Sequence, residues 1–298
     1  MNEIATKDYK IIKHKCGFYE VSPKPTELEL QKFYKKKYFQ NDIQYQHKYD
    51  EQELNYINIM IKRKFDLLHS VQSFNTNNPA SLEVGIGEGW TLSYMSQLGF
   101  DVLGLDYTDY AVKNHNPSIS NKIITGNPII TIDKLISEGK KYELIWLDNV
   151  LEHSPNPVDL LYKLNTLGKI NSNLVIEVPN DYSIIQLECL ERGFIKNKFW
   201  ECPPEHLCYF SPESLKRLCK VCGWNFCSGI ADFPVDIFLF NKYSNYNSNT
   251  ETGKESHIAR MNFELMISKQ NKEKVISFYN SMINLGIGRD MTMIFKKA

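Results

Sequence analysis

The sequence predicts an α/β protein built on a mostly parallel β-sheet with helices on both faces. Two observations predict it. Five short apolar runs of the buried-strand kind follow one another: SLEV (81–84), DVLGLD (101–106), KIIT (122–125), ELIWLD (143–148) and NLVIEV (173–178). Helical patterns separate several of them, and strand alternating with helix is the signature of a parallel sheet covered on both sides. A glycine-alternating loop, Gly85, Gly87 and Gly89, stands directly after the first run, at the strand end where such a sheet places its ligands. A chain of 298 residues with 42% hydrophobic and 12% aromatic side chains can bury one large core with a smaller appendage.

In chain order, residues 1–70 read as a helical N-terminal cap. Leu28, Phe33, Leu54, Ile57, Ile61, Phe65 and Leu68 recur there at roughly helical intervals, and Lys35 to Lys37 read as a solvated face. The sheet domain takes residues 71–298. After its fourth run, Asn156 is placed to cap a helix, Pro157 fits the first turn, and Val158, Leu161 and Leu164 line one face. Ser211 and Pro212 open another helix in the same way, which carries Leu215, Leu218 and Cys222 inward and stops at Gly223. Trp224–Ile230 is a sixth strand. A helical insertion of about 232–290 follows, with a loop at YSNYNSNTETGKES (243–256) and helix over about 257–285, and MTMIFKK (291–297) closes the chain as a seventh strand.

Charge and composition narrow the function classes. Lys+Arg and Asp+Glu both number 35, so no net field attracts a polyanion, and neither a nucleic-acid nor a membrane-surface partner is expected. No run is long enough to span a bilayer and the N-terminus has no secretory pattern, so a cytoplasmic location is expected. Seven irregularly spaced cysteines suit a reducing compartment rather than a disulfide framework.

The glycine loop discriminates among nucleotide cofactors. In a G-x-G-x-x-G dinucleotide loop the third glycine lets helix and strand pack closely; counted from Gly85 and Gly87, that position is Trp90. No G-x-x-x-x-G-K-[ST] sequence is present either. Glu83 and Glu88 bracket the loop and repel a pyrophosphate. They suit a cation, and S-adenosylmethionine carries an ammonium and a sulfonium without phosphate. Asp106 ends the second strand, where a carboxylate can accept both ribose hydroxyls of any nucleoside, and Tyr107 beside it can flank the base.

With these residues in view, the sequence resembles the class I S-adenosylmethionine-dependent methyltransferases, in particular their small-molecule and glycan-tailoring branch. LEVGIGEG resembles the cofactor loop, GLDYT the ribose-binding strand end, and LIWLDNVLEHSPNPVDLL the fourth strand with its Leu-Glu-His and capped helix. FWECPPEHLCYFSPESLKRLCKVCGW resembles the segment after strand five, and GIGRDMTMIF the family's C-terminal end. The resemblance implies a Rossmann-like seven-stranded sheet whose last strand is antiparallel. It implies that Glu83, Gly85, Gly87 and Gly89 line the methionine end, that Asp106 binds ribose, that Asn127 lies near adenine, and that Asp148 and Asn149 lie against the methionine portion. FYKKKYF is similar to an element that closes over the cofactor, which makes Tyr38 a further candidate contact.

Methyl transfer from a sulfonium is an in-line substitution, and for a hydroxyl acceptor the protein must also remove a proton. Histidine is matched to that task near neutral pH. His153, preceded by Glu152, follows the fourth strand, and His206 lies in PPEHLCYF after the fifth; each is either a base or part of a loop that packs. Trp200, Glu205 and Tyr209 of the same segment are candidate acceptor contacts. Glu152 and His153 match only part of the metal site of some related O-methyltransferases, so no metal is expected. Cys219 and Cys222 form a C-x-x-C, but inside a helix they read as small buried hydrophobes rather than zinc ligands. The expected reaction is O-methylation of a small polar metabolite, a sugar, or an activated capsule or lipopolysaccharide precursor. N-methylation of an amino sugar and a non-catalytic nucleoside-binding module are the alternatives.

Overall fold

The computed structural model describes residues 8–26, 28–30, 47–74 and 77–298. Tyr38 and the lysines at 35–37 lie outside the described residues. The first strands, β1 (Lys10–Lys13) and β2 (Tyr19–Ser22), form an antiparallel hairpin that is joined by the short β8 (Cys208–Tyr209). The segment expected as a helical cap over residues 1–70 thus also carries a β-hairpin. The apolar spacing of that segment was dominated by residues beyond position 50, whereas KIIK and YEVS are strand-forming runs that bury Val21 against the main core.

Helix does fill Glu51–Val71, α1, opened by a reciprocal capping box between Asp50 and Glu53. It lies on one face of the main sheet, where Phe65 stacks on Trp146 with ring centroids 4.9 Å apart. The seven-stranded sheet comprises β3 (Ala80–Val84), β4 (Asp101–Asp106), β5 (Ile123–Thr125), β6 (Tyr142–Asp148), β7 (Gly168–Pro179), β9 (Trp224–Ala231) and β10 (Asp290–Lys297). Their order is β5-β4-β3-β6-β7-β10-β9. The first five pair in parallel, and β10 runs antiparallel to both its neighbours. Leu144 to Leu147 are buried without alternation because helices cover both faces.

The order reverses between β3 and β6, so their C-terminal ends open a crevice at the switch point. Every sequence-expected strand of this sheet is present. Asn156 and Ser211 cap helices Pro157–Leu167 and Pro212–Val221 as expected. Between β9 and β10 the insertion forms two helices rather than one, Thr252–Ile267 and Lys272–Asn284, separated where Asn271 caps the second. Both pack against α1. A buried network fastens them: Arg63 of α1 pairs with Glu264, which also accepts from the Tyr279 hydroxyl and from Phe233 N at 3.1 Å. The Arg63 guanidinium lies 3.8 Å over the Tyr279 ring. Among the described residues no helix is long and apolar enough to cross a membrane. All seven cysteines are free thiols, and Cys219 and Cys222 are buried.

Candidate active site

Two cavities meet at the crevice, sharing Gly85, Gly87, Asp148 and Asn149. The first, of about 410 Å³, is lined by Asp106, Tyr107, Asn127, Ala111, Val150 and His153 among others. The second, of about 400 Å³, lies toward α1 and the insertion and takes Tyr56, Lys64, Glu83, Glu177, Arg260 and Asp290 into its wall.

The glycine loop serves the first cavity unevenly. Gly87 N–H donates to Asp106 Oδ2 at 3.1 Å, which fixes the carboxylate beside the loop. Burial raises the Asp106 pKa, against the opposing pull of the Gly87, Thr108, Tyr107 and Ile86 N–H groups. Gly85 has φ +74°, and a Cβ there would come within 2.4 Å of Val150. Gly89 lines neither cavity. It sits at the start of the following helix with φ +79°, where a Cβ would stand 3.0 Å from Ile119 and 3.1 Å from Val112. Its role is the close packing that the sequence reading assigned to a missing third glycine at Trp90. Glu88 also turns aside, accepting from the Tyr49 hydroxyl and Trp90 Nε1, each at 2.7 Å.

Asn127 lines the first cavity while its Oδ1 accepts from Ile129 N at 2.9 Å and caps the next helix. Asn149 adopts a left-handed backbone, φ 53°, and its side chain donates to Asp148 Oδ1 at 3.2 Å.

Lys64 was missed by the sequence reading. Only 8% exposed, its Nζ lies 2.8 Å from Asp148 and 2.7 Å from Glu177, spanning the ends of β6 and β7. Burial alone would lower its pKa, but the Asp148 and Glu177 carboxylates outweigh this and raise it. Burial and the neighbouring Asp148 charge push Glu177 up to about 7 against the pull of Lys64. Glu83 is 2% exposed, and its Oε2 has no hydrogen-bond partner. Burial, then Asp148, raises its pKa well above the usual carboxylate range.

The structure brings Glu152, His153 and His206 together, away from the acid-rich wall. The two imidazoles meet edge to face at 4.9 Å, and one ligand atom from each of the three residues lies within 4.8 Å of the others. That spacing could hold a metal ion, with three of the four ligands of a closed tetrahedral site. The same contacts pin two loops: His153 Nδ1 is 2.6 Å from Glu205 O, and Leu207 N donates to Glu152 O at 2.8 Å. His153 lines the first cavity; neither histidine lines the second. Trp200 and Tyr209 line neither cavity. Each is 1% exposed in an aromatic cluster around Tyr182, which gives them a packing role where acceptor contact was expected. Glu205 meets this site through its carbonyl and lines neither cavity.

Comparison with known proteins decides the family. A family model described as a methyltransferase domain matches residues 45–228. The chain belongs to the class I S-adenosylmethionine-dependent methyltransferases. The methyltransferase shares its fold with a SAM-dependent methyltransferase from Archaeoglobus fulgidus, at 17% identity over 90% of this chain and 99% of that one, TM-score 0.50. It shares it likewise with magnesium protoporphyrin IX methyltransferase from Synechocystis PCC 6803 with bound SAH, at 10% identity over 92% and 100% of the two chains, TM-score 0.51. No curated protein matches the methyltransferase in sequence.

Proposed function

We propose that the methyltransferase alkylates a small polar acceptor, sugars included, seated in the cavity toward the insertion while S-adenosylmethionine occupies the crevice. The observation that carries this reading is the pair of cavities joined at Gly85, Gly87, Asp148 and Asn149. The cofactor supplies an electrophilic methyl group on a sulfonium. Asp106 would hold its ribose, Tyr107 and Asn127 would flank its adenine, and Glu83 would take its ammonium. Three features support the fit: the unpartnered Glu83 Oε2, the open space beside Gly87, where a Cβ would meet nothing within 4 Å, and a donor set free of phosphate-binding features. A capsule or lipopolysaccharide role rests on the sequence resemblance alone.

Purified protein given S-adenosylmethionine should release S-adenosylhomocysteine only when an acceptor is present, and should not bind NAD. Binding of S-adenosylhomocysteine without turnover across a broad panel of hydroxyl and amine acceptors would favour the nucleoside-binding module.

The histidines hold the loop around residue 205 to the turn after β6, and a group lining the acceptor cavity takes the proton. His206→Gln should therefore keep turnover within about threefold, whereas loss of a general base costs about 100-fold or more. His153→Gln should weaken S-adenosylhomocysteine binding, because His153 lines the nucleoside cavity. A hundredfold fall in turnover for His206→Gln with cofactor affinity intact would make that histidine the base. Activity lost on chelation and restored by a divalent ion would assign the Glu152, His153 and His206 cluster to a metal.

A further inference from the structure

The charges of the acceptor cavity do not balance. Its wall carries five carboxyl groups, those of Glu83, Asp148, Glu177, Asp232 and Asp290, against two cations, Lys64 and Arg260. Lys64 is committed to Asp148 and Glu177. Arg260 faces Asp232 at 3.6 Å, and Asp232 Oδ1 also accepts from the Arg289 and Asp290 N–H groups at 2.8 and 2.7 Å. Two carboxyls then remain outside any direct ion pair among the described residues, Glu83 beside the glycine loop and Asp290 at the first residue of β10; Lys64 reaches the one, and Arg260 and Arg289 the other, only as longer-range charges. The methionine end of the cofactor brings one ammonium, which Glu83 is placed to take. Asp290 is left for the acceptor.

Building on the reading that this cavity seats the acceptor, we propose that the acceptor is a small phosphate-free primary or secondary amine whose nitrogen is held, and relieved of its proton, by Asp290. An ammonium group compensates a carboxylate in a water-poor wall, where an uncompensated charge is costly. A phosphate or carboxylate would face repulsion from the same wall. Ile57 and Met60 of α1 give the cavity an apolar side for the carbon skeleton of the amine. In the reaction the ammonium passes one proton to the Asp290 carboxylate. The freed nitrogen lone pair forms the C–N bond to the methyl carbon as the C–S bond breaks, its electron pair leaving with sulfur as the neutral thioether. The methylated nitrogen retains one positive charge and leaves as the protonated amine, and Asp290 returns its proton to solvent.

The test uses the full chain with matched amine and alcohol probes: ethanolamine and ethylene glycol, putrescine and butanediol, glucosamine and glucose, together with a phosphorylated glucosamine. Methyl transfer is followed with S-adenosylmethionine, and binding by calorimetry on protein saturated with S-adenosylhomocysteine. The expected result is transfer to at least one unphosphorylated amine and to no alcohol. For that amine, Asp290→Asn should raise KM about 100-fold, the loss expected for a hydrogen bond to a charged group, and should lower kcat as well because the proton acceptor is gone, while Asp290→Glu restores much of both. S-Adenosylhomocysteine affinity and melting temperature, measured on both variants, report a folded cofactor site. Transfer to alcohols as readily as to amines, transfer to none of the probes by protein that binds S-adenosylhomocysteine, or an unchanged KM in Asp290→Asn overturns the proposal. Absence of S-adenosylhomocysteine binding in the unmodified protein overturns instead the assignment of the crevice.

Discussion

Asp106→Ala should lower the affinity for S-adenosylhomocysteine by about 100-fold and leave the fold intact. The carboxylate closes β4, faces the first cavity, and is held beside the loop by Gly87 N–H at 3.1 Å. Hydrogen bonds to a charged acceptor contribute about 1.5–3 kcal/mol each. Two ribose hydroxyls on one carboxylate then correspond to roughly two orders of magnitude once part of that gain is offset by desolvation. Stability should change little, because burial already works against this carboxylate in the empty protein, as its raised pKa shows. Asp106→Asn keeps an oxygen that can accept from Gly87 N–H and from one hydroxyl, so its loss should be intermediate, about tenfold. Calorimetric titration of the two variants measures both effects. An Asp106→Ala affinity within threefold of the unmodified protein would place the ribose elsewhere.

The sheet was legible because both of its faces are covered: each strand then reads as an unbroken apolar run, and strand ends coincide with Gly, Asp or Pro. The N-terminal hairpin was not legible for the opposite reason. β1 and β2 are four residues each, and β1 is largely exposed, so they carry little apolar periodicity. They belong to a sheet only because β8, nearly two hundred residues later, supplies the third strand. Such long-range pairing leaves no local trace.

Gly85, Gly87, Asp106, Tyr107, Asn127, Asp148 and Asn149, which the sequence places at a cofactor, all line the joined cavities. Gly89 and Glu88 were assigned to ligand binding because loop residues look alike in sequence; in three dimensions one packs on Val112 and Ile119 and the other bonds Tyr49 and Trp90. The wall of the second cavity was largely missed. Its acids come from β3, β6, β7, β10 and the residue after β9, and its cations from α1 and the insertion, segments that are adjacent only in the folded chain. Two signals were nevertheless present. Lys64 lies three residues after Ile61 and four before Leu68, on the apolar stripe of its helix, where a cation requires a buried partner. Glu177 interrupts the apolar run NLVIEV in the same manner.

That pairing sets the second large effect. Lys64→Met should destabilise the protein by about 3–5 kcal/mol at neutral pH, the usual consequence of removing one partner from a buried ion pair. Methionine fills much of the lysine stem's volume, so the deficit is electrostatic: Asp148 and Glu177 would face each other across adjacent strands without a cation. The pH dependence separates this from a packing defect. Glu177 is already raised to about 7 with Lys64 in place, by burial and then by Asp148, and loss of the cation raises it further. A carboxyl whose folded pKa exceeds its unfolded value binds more protons folded than unfolded, so stability falls as pH rises between the two values. The deficit of Lys64→Met should therefore be small near pH 5, where the unfolded carboxyls are also beginning to take up protons, and should grow toward pH 8. Lysine itself stays protonated throughout that window, its pKa being raised in the fold. Adding Glu177→Gln to Lys64→Met should return part of the lost stability, since it removes one of the two stranded charges. Urea unfolding of the single and double variants at both pH values measures this directly. A deficit that is the same at pH 5 and pH 8, or that Glu177→Gln deepens, would show that Lys64 acts through packing and not as the charge bridge between β6 and β7.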